Sequence, residues 1–285
     1  MVAFLRLFSK PDLSSYLTAS KTAMRELLAE RFNSKTLKTF YSNDEFVSTK
    51  PNTVIVQSRE TGKPVEIVCE FFKDKIGHFV DDFTYNFYRK VGDINGIGTK
   101  DFQIRAPFLG IGKPKFETGM MHSNADDLIG IGIRQDELQI REALKRGVKK
   151  IPRHSTQRAV LYHVRMGYLP KPKLIRIRHP QKIKVEMEKL LKLSPEVNPE
   201  FFTPIIVEKK GLFGTRYYLD TSTTQAIANI RQIKLMSKDD PLRAKRIRFK
   251  ADHIEMELSG GGLETWKRML EGTHVFKYML IFEIS

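Results

Sequence analysis

Residues 141–192 hold 16 Lys and Arg against three acids, Glu142, Glu186 and Glu188, a local net charge of +13. The rest of the chain holds 33 basic and 30 acidic residues and carries only +3 of the total +16. Charge serving solubility alone would be spread over the surface. Charge gathered in one segment makes a local field that fits a polyanion. The candidate phosphate contacts are Lys145, Arg146, Lys149, Lys150, Arg153, Arg158, Arg165, Lys171, Lys173, Arg176, Arg178, Lys182 and Lys184. Arg246 and Arg248 join them from a second basic run, Arg243-Ala244-Lys245-Arg246-Ile247-Arg248-Phe249-Lys250. Tyr162, His163 and Tyr168 interleave with these cations, and exposed bases stack on such rings. RNA is favoured over DNA because no helix-turn-helix, zinc-finger or zipper pattern is present. An anionic membrane surface is the competing polyanion.

Other chemistry finds little footing. Gly96-Ile97-Gly98, Gly110-Ile111-Gly112 and Gly130-Ile131-Gly132 share a form. None extends to the dinucleotide fingerprint, and none ends in the Lys-Ser/Thr of a phosphate loop. Ser259-Gly260-Gly261-Gly262 precedes a helix pattern, where free amides can hold a phosphate, but no lysine follows at once. The seven histidines include no pair at zinc-ligand spacing. His122 with Asp126 and Asp127 could line a hard-cation site, or could simply be a solvated loop. Asp81-Asp82 and Asp126-Asp127 are adjacent pairs, which do not converge on one face. No nucleophile elbow or metalloprotease motif occurs. No catalytic residue, metal ligand or cofactor is therefore assigned. The one cysteine, Cys69, lies in an apolar strand-like run and excludes any intrachain disulfide.

The elements that must position the basic residues follow from periodicity. A helix is expected over 12–32, and a linker over 33–52. Two strands, Thr53-Val54-Ile55-Val56 and Val65-Glu66-Ile67-Val68, flank a hairpin loop at 59–64. Phe79, Phe83 and Phe87, spaced by four, predict a helix over 74–90 with an aromatic core stripe. Glycines and prolines over 91–124 predict a long loop that partners order. A helix is expected over 135–147, ended by Gly147. Residues 157–166 are helix or strand, the alternating 174–178 is a strand, and 180–193 is a basic helix. The C-terminal third predicts a hairpin around Gly211 and Gly214, then a helix to 236 capped by Asp220-Thr221-Ser222. An alternating strand over 246–258, a short helix over 265–270 and a last strand over 275–284 follow. The fold class is α+β: mixed antiparallel hairpins and helices with a basic helical or extended middle segment. The expected parts are 1–140, the basic segment 141–193, and 194–285.

With 285 residues, 41% of them hydrophobic, the chain can bury a sizeable core, and no stretch approaches the ~18 apolar residues of a spanning helix. Phe4, Leu5 and Leu7 around Arg6, with no acid before Asp12, faintly resemble an organellar import sequence. In composition the chain resembles structural proteins of organellar ribosomes, which combine a modest α+β core, basic segments and no catalytic signature. That resemblance carries no residue roles. It implies a non-enzymatic rRNA-binding component of the mitochondrial ribosome, contacting neighbouring proteins, in the matrix, with the cytoplasm as the alternative location. The rival is an accessory subunit of a mitochondrial membrane complex whose basic face meets anionic lipid or an acidic partner.

Overall fold

The computed structural model describes residues 44–107, 111–156, 159–191, 202, 204–211, 214–235 and 253–272. The expected helix at 12–32, the second basic run and the last strand lie outside these residues. The described part is an α+β fold of antiparallel sheets and five α-helices. The chain divides into two compact units, crossing between them at 153/154 and at 257/258, so the basic segment is shared by both.

The first unit holds residues 44–153 and 258–272. Its strands are β1 (Thr53–Ser58), β2 (Pro64–Ile76), β3 (Val80–Tyr88), β4 (Gly98–Arg105), β5 (Lys115–Ser123) and β6 (Leu128–Ile129). They form one curled antiparallel sheet in the order β5-β4-β3-β2-β1-β6. The helix expected over 74–90 is instead a β2–β3 hairpin. Gly77, at φ 65°, makes the turn, and Phe83, Tyr85 and Phe87 alternate inward along β3. Phe79 sits at the turn and is exposed, so only Phe83 and Phe87 of the expected stripe are core. The facing rings form a ladder across the strands. Phe71–Tyr85 centroids lie 4.8 Å apart, Phe83–Phe102 4.9 Å and Phe102–Phe116 5.3 Å. Each such pair adds roughly 0.5–1.5 kcal/mol beyond its burial.

Residues 91–124 are not one long partner-ordered loop; they contain β4 and β5. Gly98, Lys100, Phe102 and Ile104 are buried in alternation, which is a half-buried strand. A bulge between Lys100 and Phe102 shifts the register against β5. There Asp101 lies so close over Gly119 that any Cβ at 119 would collide with its side chain and carbonyl.

Helix α1 (Ile131–Lys145) starts four residues earlier than the sequence predicts and ends before Gly147, whose φ of 68° terminates it. Nearly its whole circumference is buried, polar residues included. Those polar groups grip strand backbone: Arg134 Nε donates to Ile55 O at 3.0 Å and Nη2 to Phe46 O at 2.6 Å. Gln135 Nε2 donates to His122 O at 2.8 Å and Thr99 O at 3.1 Å. Buried Arg134 also pairs with buried Glu137 at 2.6 Å. A second helix, Gly261–Gly272, longer than the expected 265–270, contacts α1 and has Leu263, Trp266 and Leu270 buried.

The second unit holds the described residues between 154 and 257. Strand β7 (Lys150–Ser155) leads toward it, the undecided stretch 157–166 contains helix α2 (Val160–Arg165), and the short strand β8 (Leu169–Pro170) follows. Strand β9 (Leu174–Ile177) leads through a 3-10 turn at Pro180–Lys182 into helix α3 (Ile183–Leu191). The hairpin β10 (Ile205–Gly211) and β11 (Gly214–Asp220) leads into helix α4 (Thr221–Leu235). Strand order is β10-β11-β9, all antiparallel. Asp220 caps α4 by accepting from Thr223 N at 3.2 Å, and the same carboxylate accepts from Lys173 N at 3.2 Å. Thr221 N and Oγ1 donate to Lys173 O at 3.0 and 3.1 Å. One buried carboxylate thus fixes where β9 begins relative to β11 and α4, and burial pushes its proton affinity up.

Candidate nucleic-acid interface

Antiparallel register decides which side chains share a face of the β10-β11-β9 sheet. Tyr218 on β11 lies directly opposite Arg176 on β9 and Val207 on β10. Two residues back along β11, Arg216 lies opposite Lys209. Alternate residues of a strand share a face, about 7 Å apart, and opposed residues lie about 5 Å apart. Arg176, Arg216 and Lys209 therefore surround Tyr218 on one face. Arg176 is exposed, the other three are half-buried, and Val207 is buried beside the ring. The one carboxylate on that face of the described strands is Asp220, buried and occupied as the cap. Glu208 lies on the other face, opposite Tyr217. Among the described residues, no ion pair involves Arg176, Lys209 or Arg216. The same holds for exposed Lys173, Arg178, Lys182 and Lys184, which flank β9.

The remaining sequence candidates divide sharply. Lys171 is exposed but pairs with Glu255 at 3.2 Å. Arg165 is half-buried on α2. Lys149 and Lys150 are exposed in the first unit. Lys145 pairs with Glu142 at 3.4 Å. Arg146 pairs with Glu142 and with Asp81 at 3.4 Å, and its guanidinium lies 4.6 Å over the Phe83 ring. Arg153 corrects the expectation outright. It is 3% exposed, bonded to Asp136 and, at 2.9 Å, to Gln139, so its charge is spent inside the first unit. Arg158, Arg246 and Arg248 lie outside the described residues.

Two of the three interleaved aromatics are also corrected, while Tyr162 is half-buried. Tyr168 is fully buried and His163 is 5% exposed. The His163 and Tyr168 rings lie 5.7 Å apart, and His163 Nδ1 shares a 2.8 Å hydrogen bond with Ser155 Oγ. Buried as they are, they offer no face to a base. The ring that does share a face with unpaired cations is Tyr218, which was not among the expected aromatics. Its signal was available in the alternation Arg216-Tyr217-Tyr218 against Lys209-Lys210, but only the register reveals which residues lie together.

Other places where chemistry could sit are occupied or closed. Burial pushes the Cys69 thiol well up, which removes its nucleophilicity. Buried Lys100 is pushed down to about 7, by burial first and then by the charge of Arg153. Asp127, weighed as a cation ligand, is held by the Arg89 fork at 2.7 and 2.9 Å, and that bond lowers its carboxyl below the usual range. Among the described residues no three His, Cys, Asp or Glu side chains cluster as metal ligands. Gly130, at φ 106°, opens α1 with no side-chain cap. A groove of about 720 Å³ beside the end of α1 has Leu144, Val148, Leu263 and Leu270 in its lining. Arg141, Lys145, Lys149 and Lys267 share that lining with Glu264 and Glu271, and Lys145 and Lys267 are paired with Glu142 and Glu271, so it carries no one-signed field. No helix among the described residues is long and apolar enough to cross a membrane. No protein-family model, curated protein or solved structure matches the chain.

Proposed function

We propose that this protein binds RNA through its second unit, as a non-enzymatic component of a ribonucleoprotein. In keeping with its composition, that particle is the mitochondrial ribosome and the RNA is rRNA. One observation carries the reading: Arg176, Lys209 and Arg216 share one face of the β10-β11-β9 sheet, and among the described residues neither they nor Lys173, Arg178, Lys182 and Lys184, around β9 in sequence, pair with a carboxylate. In the first unit, pairs such as Lys50–Glu66 at 2.9 Å and Arg89–Asp127 at 2.7 Å stand among exposed lysines with no ion pair to the described residues, such as Lys63, Lys75 and Lys115. Unpaired cations sharing a face release counterions from a phosphate backbone, and that release drives polyanion binding. Paired ones have less to offer.

The test is titration of the full chain against RNA and against vesicles rich in phosphatidylserine, each over a range of salt. Binding to RNA that weakens steeply with salt, with vesicle binding weaker at every salt concentration, is the expected result. Tighter binding to vesicles than to RNA overturns the reading and favours the membrane-complex alternative.

A further inference from the structure

We propose that the Tyr218 face selects single-stranded RNA, the tyrosine ring taking an unpaired base while Arg176, Arg216 and Lys209 hold the phosphates beside it. The proposal rests on the RNA-binding reading above and narrows its ligand. A tyrosine can stack only on a base whose face is free, and a duplex hides its base faces in its own stack. A face that recognised duplex by shape would need cations alone. Here a ring stands at the centre of three cations, with Arg176 directly across from it and the Arg216–Lys209 pair one step along. The ring sits on a strand, in a sheet whose end is fixed by the Asp220 cap, so its position is set by paired backbone and not by a loop. Arg176 adds a planar cation that can itself lie against a base. Tyr217, the next residue, is on the other face, opposite Ile177 and the exposed Glu208, whose carboxylate repels phosphate where the Tyr218 side offers cations.

The experiment uses the full chain, a poly-uridine oligonucleotide and a duplex of the same length, at low salt. Wild type should bind the single strand more tightly. Tyr218→Leu should weaken single-strand binding roughly 5- to 100-fold, the range stacking commands, and leave duplex binding within about twofold. Tyr218→Phe should restore the single-strand affinity, and matched circular dichroism melts show that both variants are folded. Ultraviolet crosslinking to the uridine oligonucleotide, read by tandem mass spectrometry, should mark Tyr218 and not Tyr217. If RNA binds but Tyr218→Leu weakens both ligands equally or neither, or the crosslink maps elsewhere, base stacking here is overturned and the broader RNA reading stands. If neither RNA binds, both are overturned together.

Discussion

Replacing Arg176, Arg178, Lys209 and Arg216 together with glutamine measures how much of the binding free energy the sheet face supplies. Seven unpaired cations lie on that face or next to β9 in sequence: these four with Lys173, Lys182 and Lys184. If each neutralises one phosphate of a single strand, the log–log salt slope is about −5, at about −0.7 per contact. Wild-type affinity then falls about a thousandfold between about 50 and about 200 mM salt. With four contacts gone the slope flattens to about −2 and the same change in salt costs only about twentyfold. None of the four is buried or, among the described residues, ion-paired, so the unfolding midpoint should move little, by the equivalent of about 1 kcal/mol or less. The control removes four cations that already have partners: Lys50, Arg89, Arg105 and Lys267, paired with Glu66, Asp127, Glu117 and Glu271. Its slope should stay within about one unit of wild type. Fluorescence anisotropy of a labelled oligonucleotide across the salt series gives both slopes. Equal flattening by the two sets would show that the charge acts diffusely and that pairing is irrelevant, which would refute the reasoning.

Two predictions concern the first unit. Arg134→Met takes from buried Glu137 its 2.6 Å partner, with Arg141 standing farther off at 3.8 Å, and removes the guanidinium donors to the carbonyls of Ile55 and Phe46. A loss of about 3 kcal/mol in urea denaturation is expected; a loss under about 1 kcal/mol would mean the helix is held by apolar packing alone. Lys100 predicts a pH dependence. The unfolded chain holds its proton up to the ordinary 10.5 while the folded chain releases it near 7, so unfolding takes up a proton between those values and stability rises with pH. The rise is clearest from pH 7 to 9, since above 9 the raised Cys69 thiol opposes it. Lys100→Met should flatten stability across that window. An unchanged pH profile in the variant would show that Lys100 keeps its proton when folded.

How far the sequence could be read depended on whether local pattern and burial agreed. The β1–β2 hairpin, β9, the β10–β11 hairpin and the Asp220-capped helix were legible because alternation, turn residues and caps all pointed one way. The β2–β3 hairpin was not. Phe79, Phe83 and Phe87 fit a helical spacing of four as well as a strand spacing of two, and Tyr85 between them was the discriminating residue. Strand β4 was hidden by Lys100, a charge at an inward position, and by the bulge at Asp101, which breaks the alternation with β5. At the site, Arg176 was legible as part of an alternating strand. Tyr218, Lys209 and Arg216 were not, because which residues share their face is a property of strand pairing. Arg153 misled for a related reason. Its neutralising partner, Asp136, lies on a helix 17 residues earlier in the chain, and a local charge count cannot see it.

The grip of α1 on the sheet has a consequence for how this protein can change over generations. Arg134 and Gln135 address carbonyl oxygens of Phe46, Ile55, Thr99 and His122, not their side chains. Every residue type presents the same carbonyl. Positions 46, 55, 99 and 122 are thus at liberty to vary, within the limits of their own burial, without losing the helix. Positions 134 and 135 have no such liberty, since few side chains reach two carbonyls at once. Among relatives, the sheet should drift while these two helix residues hold, so the most durable mark of descent in this unit would be a pair of polar letters in a place where a core is expected to be apolar.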